Sequence, residues 1–181
     1  MLIMRTLIVA ITVTAAVAAG CGQSTQKTTE KQAPAELPGT TLEAPDYIWD
    51  GKTIVKPDSV WQKQLSFEQY YVLRQAGTER PFQNAYVDNH DNGTYYCAAC
   101  GLPLFHAKHK FDSGTGWPSY YQPIVETHVG KDTDLDIGYP RTEVHCARCD
   151  GHLGHVFEDA PQTPTGLRYC INSASLVFKK E

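Results

Sequence analysis

Cys97-Ala-Ala-Cys100-Gly-Leu-Pro103 and, after a gap of 45 residues, Cys146-Ala-Arg-Cys149-Asp-Gly151 are the stretches on which the fold turns. Each places two sulfurs within reach of one ion, and four thiolates satisfy a tetrahedral zinc site. A thioredoxin-like redox motif is the competing reading, and plain disulfides are a third. The redox motif needs its cysteine at a helix N-terminus, where amide groups lower the thiol pKa. Gly101 and Pro103 follow the first pair and Gly151 the second, which opposes a helix at either place. Glycines there suit a tight knuckle whose N–H groups curl toward sulfur. A zinc held by Cys97, Cys100, Cys146 and Cys149 has no open coordination position. It is therefore structural, a clamp on two distant loops of a small domain, and says nothing about reaction type.

Around these knuckles the sequence changes period. Residues 93–97, 124–129, 141–145, 153–157 and 167–178 are rich in β-branched and aromatic side chains and are separated by Gly, Pro, Asp and Asn. They predict antiparallel strands with tight loops, and no alternation with long helices points to a parallel sheet. Upstream, Trp61, Leu65, Phe67, Tyr70, Tyr71 and Leu73 recur at helical intervals. Ser66 can cap a helix near residues 66–76 that Gly77 ends, with a shorter turn at 59–64 before it. The expectation is a mainly β (α+β) domain with short N-terminal helices.

The first 55 residues read differently. Arg5 precedes an apolar run from Leu7 to Gly20, too short to span a bilayer comfortably and typical of a secretory signal. Ala18-Ala19-Gly20-Cys21 resembles a bacterial lipobox, although Ala18 stands where leucine is usual. On that reading residues 1–20 are a lipoprotein signal, Cys21 carries lipid, and residues 21–55 are a flexible tether with almost no large apolar residue at its start. The other reading is an ordinary cleaved signal with an incidental cysteine. The expected location is the bacterial cell envelope, and Gly22 after Cys21 would permit outer-membrane sorting. Residues 56–181 are the folded domain. A formal charge of −4 without a basic stripe excludes nucleic acid as an expected partner.

Six cysteines, less Cys21 and the four knuckle cysteines, leave Cys170, in Gly166-Leu-Arg168-Tyr-Cys170-Ile-Asn172-Ser. A free cysteine of this kind reads equally as a buried structural thiol or a nucleophile. On a strand, Arg168 and Asn172 share its face, and Arg168 could stabilise a thiolate. His152 and His155 are three apart and could aim into one cleft, or serve as structural histidines. Gly114-Thr-Gly-Trp117-Pro118 reads either as a turn before a core tryptophan or as part of that cleft.

Five segments then converge: Glu79-Arg-Pro-Phe82, Cys97-Ala-Ala-Cys100-Gly, Phe111-Asp-Ser-Gly-Thr-Gly-Trp-Pro-Ser119, His152-Leu-Gly-His155-Val-Phe157 and Gly166-Leu-Arg-Tyr-Cys-Ile-Asn-Ser-Ala174. In this order and spacing they closely resemble the B-type methionine sulfoxide reductases, which act on the R epimer, over roughly residues 57–179. The resemblance implies two antiparallel sheets preceded by short helices. It implies Cys170 as nucleophile, Trp117 as the wall that receives the substrate methyl group, and His152, His155 and Asn172 as the polar side of the pocket. It gives Arg168 the support of the thiolate and the four knuckle cysteines a zinc away from the active site. Attack by the Cys170 thiolate on sulfur, with a histidine as acid, would leave a sulfenic acid as methionine departs. Many members carry a resolving cysteine where this chain has Thr115. An external thiol, from a thioredoxin-like partner or a small molecule, is therefore expected to clear the sulfenic acid, and oxidised proteins are the expected substrate.

Overall fold

The computed structural model describes residues 49–181; the expected signal, the lipidated Cys21 and the tether as far as residue 48 lie outside the described residues. Helix α1 (Asp58–Gln64) begins directly after Pro57 and buries Trp61. Helix α2 (Phe67–Gln75) opens on a capping box in which Ser66 accepts the Gln69 N–H and the Gln69 side chain accepts the Ser66 N–H. Its end departs from the expectation. The left-handed residue is Ala76, at φ 51°, and the Gly77 N–H closes on the Tyr71 carbonyl at 3.0 Å. Gly77 lies under the exposed Tyr71 ring, which a Cβ there would meet at 2.3 Å and have to displace.

Among the described residues nine strands follow: β1 (Gly93–Cys97), β2 (Pro103–His106), β3 (Lys110–Phe111), β4 (Ser119–Tyr120), β5 (Val129–Asp134), β6 (Arg141–Cys146), β7 (His152–Ala160), β8 (Gly166–Ile171) and β9 (Leu176–Lys180). They form two antiparallel sheets, ordered β2-β1-β9 and β3-β4-β8-β7-β6-β5. Two expected strands are redrawn. Residues 124–129 are mostly a loop with a 3-10 turn at Glu126–His128, because the buried His128 ring bonds the Pro103 carbonyl at 2.8 Å and pairing begins only at Val129. Residues 167–178 are two strands in different sheets, divided by a 3-10 turn at Ser173–Ser175. Strands β2, β3 and β4 are too short for their alternation to show in sequence.

The sheets meet through aromatic side chains. Tyr95 and Phe105 from the three-stranded sheet pack against Tyr120 and Tyr169 from the six-stranded sheet, and all four are buried. Phe105 stacks on Tyr120 at 4.5 Å, and Tyr95 meets the same ring edge-on at 5.3 Å. With Tyr169 and Ile171 facing this core, strand alternation turns Arg168 and Cys170 to the opposite face of β8.

Candidate active site

The two cysteine pairs make the same turn twice. Cys97 ends β1, its N–H bonds the Leu102 carbonyl, and the Gly101 N–H returns to the Cys97 carbonyl. Cys146 ends β6, its N–H bonds the Gly151 carbonyl, and the Asp150 N–H returns to the Cys146 carbonyl. The left-handed position is Gly101 in the first knuckle and Asp150, at φ 58°, in the second. Gly151 is excluded from a side chain instead by Leu73, which a Cβ would meet at 2.8 Å. The four sulfurs lie within 4.8 Å of one another, with Cys97–Cys149 at 3.6 Å and Cys100–Cys146 at 3.5 Å. One tetrahedral ion can be held there, and neither pair leads into a helix, so the geometry opposes a redox role.

Cys170 stands apart from this cluster, on the outer face of the six-stranded sheet. Register sets its neighbours: Cys170 lies opposite Ser119 on β4 and opposite His155 on β7, His155 lies opposite Glu143 on β6, and Glu143 opposite Asp132 on β5. Cross-strand neighbours of this kind have Cβ atoms about 5 Å apart. The sheet thus lays a row of polar side chains beside one thiol.

His152 joins the row through an irregularity. Two side chains three residues apart fall on opposite faces of a regular strand. Here β7 carries an extra residue against β6, so His145 pairs with His152 while Val144 pairs with Gly154. The bulge returns His152 to the face of His155, with ring centroids 5.5 Å apart. His152 Nδ1 meets Glu143 Oε1 at 2.6 Å and His155 Nε2 meets Asp134 Oδ2 at 2.7 Å. Both rings border a cavity of about 340 Å³ whose rim includes Thr78, Leu135, Arg141 and Glu143.

The remaining expected residues divide. Arg168 shares the face of Cys170, but its guanidinium is forked onto the Asp159 carboxylate at 2.9 and 2.7 Å and lies 4.4 Å over the Phe157 ring. Trp117 is fixed by its indole N–H, which donates to the Glu79 carbonyl at 3.2 Å. Asn172 is buried, its Oδ1 accepting from the Glu79 N–H and its Nδ2 donating to the Leu153 carbonyl. Its amide thus ties the bulge to Glu79, whose carbonyl in turn holds the Trp117 indole. Cys21 lies outside the described residues.

Electrostatics set the resting state. Burial pushes the Cys170 thiol above its ordinary range, and the Thr115 hydroxyl and the Arg168 guanidinium only partly oppose it. Burial also lowers His155, against the pull of Asp134. Near neutral pH the pair is therefore a thiol beside an uncharged imidazole. Asp134 is held at about 2 by the Asp136 backbone N–H first and by His155 next, so it stays an anion that can steady an imidazolium. A thiol whose ladder neighbour is a neutral imidazole, itself backed by an acceptor, supplies the groups that an activatable sulfur nucleophile needs.

The SelR domain model matches residues 65–180. The chain belongs to the SelR family. The peptide methionine sulfoxide reductase MsrB of Leptospira interrogans is 57% identical over 126 residues, covering 70% of this chain and 95% of that protein. The MsrB of Thiobacillus denitrificans is 58% identical over 123 residues, 68% and 92% of the two chains. The chloroplastic peptide methionine sulfoxide reductase B1 of Oryza sativa subsp. japonica is 57% identical over 124 residues, 68% of this chain and 57% of its own. A SelR domain matched at this level is an oxidoreductase that reduces methionine sulfoxide.

Within this SelR domain, several groups escaped the sequence. Asp134 and Glu143 reach the histidines from 21 and 9 residues away, through register alone. Asp159 is likewise 9 residues from Arg168. Glu79 was visible only as part of the Glu-Arg-Pro-Phe segment. Its buried carboxylate accepts the Ser173 and Ala174 N–H groups at 2.5 and 2.8 Å, while its backbone holds Asn172 and Trp117.

Proposed function

We propose that the chain reduces the R epimer of methionine sulfoxide in oxidised proteins, with Cys170 as nucleophile. The observation that supports this most is the pairing of Cys170 with His155 across β7 and β8. His155 takes the thiol proton, the thiolate attacks the sulfoxide sulfur, and the imidazolium returns the proton to the oxygen. The oxygen then transfers to Cys170, so one sulfenic acid forms for each methionine released. Trp117 receives the methyl group on the apolar side while His152 and His155 face the oxygen, an asymmetry that selects one epimer. Arg168 and Asn172 keep Cys170 and the bulge in place. Thr115 offers no thiol at the position of a resolving cysteine. An external thiol, thioredoxin-like or small, displaces hydroxide as water to give a mixed disulfide, and a second thiol restores Cys170.

The ion proposed for the four-sulfur site is zinc. Tetrahedral bonds of about 2.3 Å put sulfurs roughly 3.8 Å apart, close to the separations across the site. A closed thiolate site holds loops and takes no part in the reaction. Residues 1–20 would be the signal, Cys21 the lipid anchor, residues 21–55 the tether and residues 56–181 the reductase. The enzyme would then work at the bacterial cell envelope, attached to membrane.

The test is turnover of separated R and S sulfoxides with a chemical thiol. Activity on R alone, abolished by Cys170→Ser, is expected, with one zinc per chain. Folded, zinc-loaded protein inactive on both epimers would overturn the reading. A Cys170 disulfide within the chain, in place of sulfenic acid after sulfoxide without reductant, would overturn the external thiol.

A further inference from the structure

The loop before β4 and the first residue of β4 hold three hydroxyls in a line that ends on Cys170. Thr115 Oγ1 is 3.8 Å from Cys170 Sγ, a long hydrogen bond even for sulfur, and 2.8 Å from Ser113 Oγ. Ser113 Oγ is 2.7 Å from Ser119 Oγ, and Ser119 Oγ donates to the Trp117 carbonyl at 3.2 Å. Ser119 is buried, opposite Cys170 in the ladder.

Each hydroxyl has one proton to give, and a carbonyl can only accept. With Ser119 donating to Trp117, the line is filled by Ser113 donating to Ser119 and Thr115 donating to Ser113. Thr115 then has only lone pairs to offer Cys170, and the sulfur must be the donor, as a thiol. When Cys170 loses its proton the line has to reverse. Thr115 donates to the thiolate, Ser113 to Thr115 and Ser119 to Ser113. The reversal gives up only the long Ser119–Trp117 bond and gains a charge-assisted one at sulfur.

We propose that Thr115, Ser113 and Ser119 form a reversible hydroxyl chain that accepts from the Cys170 thiol and donates to its thiolate, with Thr115 a catalytic residue and both serines positioning residues. The chain stands at the position of the missing resolving cysteine and lowers the work of ionising a buried thiol. It rests on Cys170 as the nucleophile for its relevance to turnover, but not for its existence. Among the described residues, the other titratable or charged groups near this sulfur are Arg168 on β8 and His155 and Asp159 on β7; β4 presents only Ser119 to it.

The test is the pH dependence of iodoacetamide alkylation at Cys170, followed by peptide mass spectrometry on metal-loaded protein. It needs no sulfoxide, so it separates failure of the chain from failure of the proposed reaction. Thr115→Val should move the alkylation midpoint upward, and a midpoint higher by one pH unit means about tenfold less thiolate at neutral pH. Thr115→Ser should restore the midpoint. Ser113→Ala, at a half-exposed position, should move it in the same direction by less. In turnover, kcat should fall with the thiolate fraction while KM for a small sulfoxide stays put. A Thr115→Val profile that overlays the wild type overturns the proposal. A Ser113→Ala profile that overlays it, with Thr115→Val displaced, overturns the chain beyond Thr115. Unchanged metal content and unfolding midpoint establish that the variants are folded.

Discussion

Among the described glycines, Gly154 is the one that another strand's backbone approaches most closely. It sits in the β7 bulge, opposite Ile171, at φ 155°. A Cβ at residue 154 would lie 2.0 Å from the Cys170 carbonyl oxygen and 3.1 Å from the Cys170 carbonyl carbon and the Ile171 Cα. These are backbone atoms that no rotamer change can move aside. For Gly154→Ala, β7 and β8 must separate by roughly an ångström to reach ordinary contact. The overpacking costs about 1–3 kcal/mol, and each weakened ladder hydrogen bond adds about 1 kcal/mol, so roughly 3 kcal/mol is expected. The separation falls between Cys170, the proposed nucleophile, and both histidines. Since a misplacement of about 1 Å can cost on the order of a hundredfold in rate, kcat/KM should fall by that order. Urea unfolding and sulfoxide turnover on the same metal-loaded preparation measure the two effects. A variant within about 0.5 kcal/mol and roughly twofold of the wild type would refute the claim that this close approach positions Cys170.

Three further outcomes follow from other contacts. Ala76→Gly relieves a left-handed alanine and should stabilise the protein by about 1 kcal/mol, raising Tm by roughly 4 °C in calorimetry. Stripping the metal with a strong chelator should remove on the order of 10 kcal/mol, enough to abolish cooperative unfolding; an unchanged melting curve would deny the site a structural role. Asp134 has a folded value of about 2 against an ordinary 3.8, so its contribution to stability is complete above that ordinary value and is lost as the pH falls toward 2. Asp134→Asn should therefore lose stability near neutral pH and show a shallower decline in urea midpoint between about pH 4 and about pH 2.

What could be read in sequence was local chemistry. The cap at Ser66, strand β1 and the cysteine arithmetic that isolates Cys170 were each legible from residue type and local pattern. Groups joined by register were hidden: Asp134 and Glu143 gain meaning only when β5, β6 and β7 align. The bulge had one visible trace, the lone glycine between two histidines, which period-2 reasoning alone would place on opposite faces. Ala76 and Asp150 occupy left-handed positions where glycine was expected, and the glycines stand one residue later, packed against Tyr71 and Leu73. Arg168 and Asn172 were found as residues, but their partners at Asp159, Glu79 and Leu153 were not.

The metal-binding knuckles end β1 and β6, one strand from each sheet, and the first residue of β9 pairs with Cys97 itself. Only the turn at Ser173–Ser175 separates that pairing from the strand bearing Cys170. Scarcity of the ion would thus be felt as shortened lifetime: the node shared by the two sheets loosens, β9 loses its anchor at Cys97, and proteases gain access to the strand that leads to Cys170. A cell short of the ion would lose this protein through proteolysis of opened molecules, and supplying metal would lengthen the life of the folded chain.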